Sequence, residues 1–384
     1  MASTSCSALA EEVLAHCLAG GAPPLSKVHQ LVDEDCSGPL FRIVVEGLAD
    51  RFEPRFCDAY ADLFSDVIER LIPDLRGLRA RYERIRHPRA CHLDPARVYV
   101  LSRVTLGADI AITSVLLDAA KRRFPHAKIF LAGSAKAAEL FAADPRVQHF
   151  PLSYPRSGTL HERLSTWTRL DQPDSIVIDP DSRLTQLGLL PVCDEDRYFF
   201  FESRAYGGDS TSTLTILAKR WARETFNVAA HPYMAPAPVP DQVEIAVSLG
   251  VGENLAKRVD GSFETDLLRL LSKRGKTVIV DKGAGGEEAD RVDQAIAASG
   301  ATNITTWSGS FAGFASIISR ARFYAGYDSA GQHAAAAARV PQVTIFRGHV
   351  NERMFQRWRP SGRNVHVLKH LDPEKLLRVI AKLP

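Results

Sequence analysis

The chain has 384 residues and a mass of 42.2 kDa, more than one hydrophobic core usually fills, so two or more domains are expected. With 45% hydrophobic and 24% charged residues it reads as globular, and 48 basic against 45 acidic residues leave a net charge of only +3, which argues against nucleic acid as a partner. No run of about eighteen apolar residues is present, and Glu11 and Glu12 stand where a signal peptide needs a cationic start and an apolar middle, so a cytoplasmic protein is expected.

Residues 1–95 read as a helical region. "SALAEEVLAHCLAGG", "KVHQLVDED", "PLFRIVVEGLAD" and "FCDAYADLFSDVIERLI" carry apolar residues at helical spacing and no strand-like alternation. Such a region suits self-association into a homo-oligomer or recruitment of a partner. Six cysteines (Cys6, Cys17, Cys36, Cys57, Cys91 and Cys193) contain no CxxC pair, so buried reduced thiols are expected rather than a zinc or redox motif. His87, Cys91 and His92 lie close in sequence but lack the paired spacing of a tetrahedral metal site, and no metal is expected there.

From residue 97 the texture changes to short β-branched runs, "RVYVLSR", "AKIFLAG", "VQHF" and "SIVIDP", separated by helical segments, which predicts a parallel sheet covered by helices over 96–235. The proline-rich "AAHPYMAPAPVPDQ", residues 229–242, reads as a hinge. A second series follows over 236–384: "VEIAVSLG", "KTVIVDKG", "NITTWSG", "RFYAGYDS" and "QVTIF" alternate with helices, and "DPEKLLRVIAKL" is a terminal amphipathic helix. The fold class is therefore α/β, two Rossmann-like domains facing a cleft, with an added N-terminal helical region.

Polar residues cluster where strands give way to helices, the place at which open α/β sheets bind ligands. In "GYDSAGQHAAAAARVPQVTIF" the alanines favour helix, and Asp328 and Ser329 are residue types that cap helix starts, so a helix is predicted to begin near Ser329. Its free N–H groups would suit phosphate, with Ala330 and Gly331 letting a ligand approach the backbone. Two regions, "VYVLSRVTLGADIAITSVLLDAAKRRFPHAKIFLAG" and "SFAGFASIISRARFYAGYDSAGQHAAAAARVPQVTIFRG", resemble the signature regions of glycosyltransferase family 9, the ADP-heptose:lipopolysaccharide heptosyltransferases and their relatives. The resemblance covers roughly residues 96–384 and implies the GT-B architecture.

It further implies an inverting transfer of a sugar, heptose being the family's example, from a nucleotide-diphosphate donor to the hydroxyl of a glycan, glycolipid or protein acceptor, without a metal cofactor, in the cytoplasm or at the inner membrane face. In "LGAD" it implies Asp109 as the general base, although Ala108 separates it from Gly107 where the family has the two adjacent. A plain helix cap is the other reading of Asp109. In the second region Asp328, Ser329 and His333 match the donor motif, with Ala330 at the usual glycine and Gly331 at the usual proline. "VSLGVGENLAKRV" maps Ser248, Gly250 and Lys257, with Arg258 competing, to phosphate contacts. "VDKGAGGEEADRV" offers Glu287 or Glu288 near the nucleoside, or as ordinary acids of a helix start. Arg156, Arg163 and Arg169 are read either as contacts to an anionic acceptor or as a solvated face. The rival functions are a nucleotide-sugar epimerase or hydrolase of the same architecture, and a non-catalytic nucleotide-sugar-binding scaffold.

Overall fold

The computed structural model describes residues 2–165, 170–239, 243–252, 254–275, 277–283, 285–369 and 371–383. Arg169 therefore lies outside the described residues. The N-terminal region is helical: α1 (Ala2–Leu18), α2 (Leu25–Asp33), α3 (Pro54–Leu71) and α4 (Leu78–Ile85), with helical turns over 37–49 between α2 and α3. Proline at the first position of α3, where no N–H is needed, starts that helix after the extended Glu53.

These helices do not stand apart. Phe56, Tyr60, Phe64 and Tyr82 are buried in one apolar core with Tyr99, Leu101, Val177 and Phe200 of the first sheet. At roughly 25 cal/mol per Å² of apolar surface removed from water, such shared burial makes the region integral to the first domain. Among the described residues before 90, Leu25 is the only large apolar side chain left exposed. Cys6 and Cys36 form a disulfide between α1 and the turn after α2, which corrects the expectation of six reduced thiols. The two thiols meet only in three dimensions, so no spacing rule exposes the pair. The other four cysteines are free and buried.

The first sheet comprises β1 (Arg97–Leu101), β2 (Lys128–Gly133), β3 (Val147–Pro151), β4 (Ser175–Asp179) and β5 (Tyr198–Phe200), in the order β3-β2-β1-β4-β5. Its ladders are parallel, with Arg97 opposite Lys128 on one side and Ser175 on the other. Helices α5 (Ser114–Arg123), α6 (Ala135–Glu139) and α7 (Leu214–Phe226) belong to this half. The second sheet follows the order β11-β10-β9-β6-β7-β8, from β6 (Ile245–Ser248), β7 (Val278–Asp281), β8 (Ile304–Trp307), β9 (Phe323–Tyr327), β10 (Gln342–Phe346) and β11 (Val365–Lys369), again all parallel. Its helices are α8 (Phe263–Ser272), α9 (Gly286–Ser299), α10 (Phe311–Arg320), α11 (Ala330–Ala337), α12 (Glu352–Trp358) and α13 (Pro373–Ile380).

The proline-rich segment is pinned rather than free over its described part. Ala235 N–H bonds Leu140 O, Tyr233 Oη donates to Asp144 Oδ2 at 2.9 Å, and Val239 N–H reaches Ser316 Oγ on α10. Residues 240–242 lie outside the described residues. Beside this segment Val115 and Leu116 of the first half share a core with Phe314, Ile317 and Ala334 of the second.

Candidate functional site

The carboxyl ends of the two sheets face each other across a cavity of about 800 Å³. Parallel strands aim all their C-terminal loops at one edge, so both domains contribute polar groups there. From the second domain come Ser248, Gly250, Lys257, Asp281, Asp328, Ser329, Ala330 and His333; from the first come residues 104–108, Lys136, Glu139 and Arg156. Asp50 of the helical region and Met354 and Trp358 of α12 complete the wall.

On the second-domain side, Lys257 Nζ lies 3.0 Å from Asp328 Oδ2 and 3.1 Å from Asp328 O. Asp328 ends β9 in register, its N–H bonding Ile345 O of β10. Its Oδ1 also accepts from Gln332 Nε2, whose Oε1 in turn accepts from Thr344 Oγ1 at 2.8 Å. Burial raises the Asp328 pKa, against the lowering charge of Lys257. Ser329 occupies the N-cap position of α11 with extended φ of −151°, but its hydroxyl makes no capping bond. The first-turn N–H groups of that helix are therefore left without the usual side-chain partner, beside an ammonium group, which is an arrangement suited to an anion. His333, one turn along, is pushed down to a pKa of about 3 by burial, then by Lys257, so its imidazole is neutral. It packs edge-on to Trp358 at 5.8 Å.

Gly331 does not face the cavity as expected. A Cβ there would overlap the buried Tyr324 hydroxyl, so the glycine makes room for a core side chain and Ala330 is the residue on the wall. Gly107, in contrast, lies on the wall, where an added Cβ would stand 3.3 Å from Ala330 Cα and from His333 Cδ2. The two motif loops thus touch across the cleft.

Asp109 does not line the cavity. A helical turn Leu106–Ala108 leads into a π-helical turn Asp109–Thr113 and then α5, so the helix starts three residues before the aspartate and Asp109 is not its N-cap. The carboxylate is 1% exposed and turned inward, accepting from Ser102 Oγ at 2.8 Å, Arg103 N–H at 2.7 Å and Thr113 Oγ1 at 2.8 Å. Burial pushes its pKa up to about 6, with those three bonds opposing. A π-turn houses one extra residue in a helix, and here it accommodates Ala108.

Of the remaining expected residues, Arg258 does not line the cavity, and Glu287 is exposed at the start of α9 and away from it. Glu288 reaches back towards Gly250 and Gly283, close to where added Cβ atoms would sit. Arg156 lines the cavity and donates to Val104 O at 3.1 Å. Arg163 is buried over the Phe41 ring, 4.1 Å from its centroid, and bonds Gly158 O, so it supports the fold. Sequence reading passed over Asp50, Lys136, Glu139 and Asp281. Asp281 had a signal, an acid closing the apolar strand "VIVD" ahead of a glycine-rich loop. It is pushed up to about 6 by burial, with Gly283 N–H lowering and Glu288 raising. Asp50 had none, being one acid at the end of a helical run.

Residues 252–377 match the model of glycosyltransferase family 9 (heptosyltransferase). That match falls within the second domain and spans about a third of the chain. The two-sheet plan of the chain is the GT-B architecture. E. coli heptosyltransferase WaaC, solved with ADP, superposes with a TM-score of 0.57 at 16% identity, over 75% of this chain and 100% of that one. A family 9 glycosyltransferase from Veillonella parvula gives 0.56 at 15% identity, over 77% and 92%. E. coli ADP-heptose lps heptosyltransferase II gives 0.51 at 16% identity, over 75% and 98%. No curated protein matches the chain by sequence. Among the described residues no helix is long and apolar enough to cross a membrane.

Proposed function

We propose that this protein is a glycosyltransferase that moves a sugar from a nucleoside-diphosphate donor to the hydroxyl of a glycan, glycolipid or protein in one displacement that inverts the anomeric centre. The observation that carries the reading is the Lys257 ammonium beside the uncapped start of α11, both on the cavity wall. An anionic diphosphate fits that pair, and the same groups would stabilise the charge that grows on it as it leaves. ADP-heptose is the donor to test first, because WaaC is described with ADP and with an ADP-heptose analogue. Neutral His333 and Ser329 would border the sugar end, and the cations Lys136 and Arg156 the acceptor side.

Asp109 was the sequence candidate for the acceptor's base. Its burial behind Ala108 and its three internal bonds support a positioning part instead: the carboxylate fastens Ser102 and Arg103 and so fixes the turn that presents Gly107 and Ala108.

Calorimetric titration tests the donor reading. ADP and ADP-heptose should bind the full chain, and Lys257→Ala should weaken both by about 10- to 100-fold, the loss of one charge-assisted contact. Binding by neither ligand, or equal binding by the variant, would overturn the donor site. If Lys257 and helix N–H groups handle the diphosphate, EDTA leaves turnover intact, and a strict Mg²⁺ requirement would contradict that account.

A further inference from the structure

With Asp109 turned inward, the acceptor's proton needs another destination, and four carboxylates line the cavity: Asp50, Glu139, Asp281 and Asp328. Asp328 is engaged by Lys257 and Gln332 on the donor side. Asp281 closes β7 in the donor sheet and accepts from Gly283 N–H at 3.1 Å. Glu139 is exposed on α6. Asp50 alone combines a half-buried position with a carboxylate that has no hydrogen bond or ion pair among the described residues. The buried Arg204 guanidinium feels its charge without pairing with it.

Its segment is held firmly. The Asp50 N–H bonds Glu46 O at 2.9 Å, and Arg51 O lies 3.4 Å from the donating Asn351 Nδ2. Phe52, 1% exposed, packs edge-on to Trp358 at 6.1 Å. Its φ of +56° lies in the left-handed region, where a bulky side chain costs about 1–3 kcal/mol. Backbone strain of this kind persists only where packing over-determines it, and the Phe52 contact on Trp358 supplies that packing. Trp358 in turn packs on His333, so a continuous line of rings connects the Asp50 turn to the donor helix.

We infer that Asp50, supplied by the N-terminal helical region, is the catalytic base that takes the acceptor's hydroxyl proton. This rests on the glycosyl-transfer reading. The acceptor oxygen bonds to the anomeric carbon while its proton passes to the Asp50 carboxylate. The bond from the anomeric carbon to the diphosphate oxygen breaks, and its electron pair leaves with the nucleoside diphosphate. Asp50, now a carboxylic acid, returns its proton to water before the next turnover.

A nucleophile that needs no deprotonation separates a base from a structural carboxylate. The full chain is given ADP-heptose with water alone or with sodium azide, and ADP release and glycosyl azide are followed. Asp50→Ala and Asp50→Asn should lower water-driven ADP release by about 10²- to 10⁴-fold. Glycosyl azide formation by both variants should stay within about threefold of wild type or rise, since azide attacks without losing a proton and meets one negative charge fewer. ADP affinity, read by calorimetry, should change less than about twofold and shows that the variants are folded. Wild-type water-driven release in the variants overturns the assignment, as does equal loss of both reactions. Wild-type protein that releases ADP with neither nucleophile, or fails to bind it, overturns the donor reading and the base assignment with it.

Discussion

The loop after β1 and the loop after β9 face each other across the cleft, and both depart from the family pattern at small residues, Ala108 in the first and Ala330 and Gly331 in the second. They end differently. After β9 the change is a substitution: Ala330 and Gly331 replace other small residues without altering the count, and Asp328 stays at the strand end, on the cavity. After β1 the change is an insertion. Successive helical residues point about 100° apart, so with Ala108 on the wall Asp109 falls behind it, at the start of the π-turn that takes up the extra residue. A motif tolerates exchange of its small residues far better than a shift of its frame, because side-chain direction depends on the count.

The largest effect expected from breaking this contrast is on stability. Asp109→Ala leaves three buried donors unpaired, on Ser102, Arg103 and Thr113, and should cost about 2–4 kcal/mol in urea unfolding. A variant of unchanged stability that had lost only turnover would return Asp109 to the catalytic role.

Titration sharpens the same point. The folded pKa near 6 lies above the ordinary 3.8, so between about pH 4 and 6 the native state binds more protons than the unfolded chain. Stability from this group is therefore highest at low pH and falls as pH rises through that window, by about 3 kcal/mol in all. Asp109→Asn should remove that portion of the slope. Asp179, near 6, and Glu202, near 7, are also raised by burial and add slopes of their own, so the difference between wild type and variant is the quantity to measure.

In the other loop, Gly331→Ala should cost about 1–3 kcal/mol by overpacking Tyr324. Tyr324→Phe should recover part of it by removing the hydroxyl, while the ring carbon stays in close contact. Full additivity of the two substitutions would show that the pair does not clash. The smallest effect concerns His333: with its pKa near 3, ADP affinity between pH 5 and 8 should show no inflection from it, and His333→Asn should leave the shape of that profile unchanged.

Much of this was legible in one sequence. Strand-like runs, their alternation with helices and the polar residues at strand ends are local features, and they gave away the α/β plan and the parallel sheets, while the family resemblance singled out Ser248, Lys257, Asp328, Ser329 and His333, which all line the cavity. Two strands escaped for local reasons as well: β5 is three aromatic residues with no alternation, and β11, "VHVLK", is too short and mixed to stand out. What tertiary structure alone decided is direction and company. The π-turn chose the inward face for Asp109, burial of Tyr324 explained Gly331, and the pairing of Cys6 with Cys36 joined segments thirty residues apart. Asp50 is the clearest case. Its chain neighbours are those of an ordinary helix end, and only the packing of Phe52 on Trp358, some three hundred residues away in sequence, brings it to the cavity, since a contact across that distance leaves no periodicity to read.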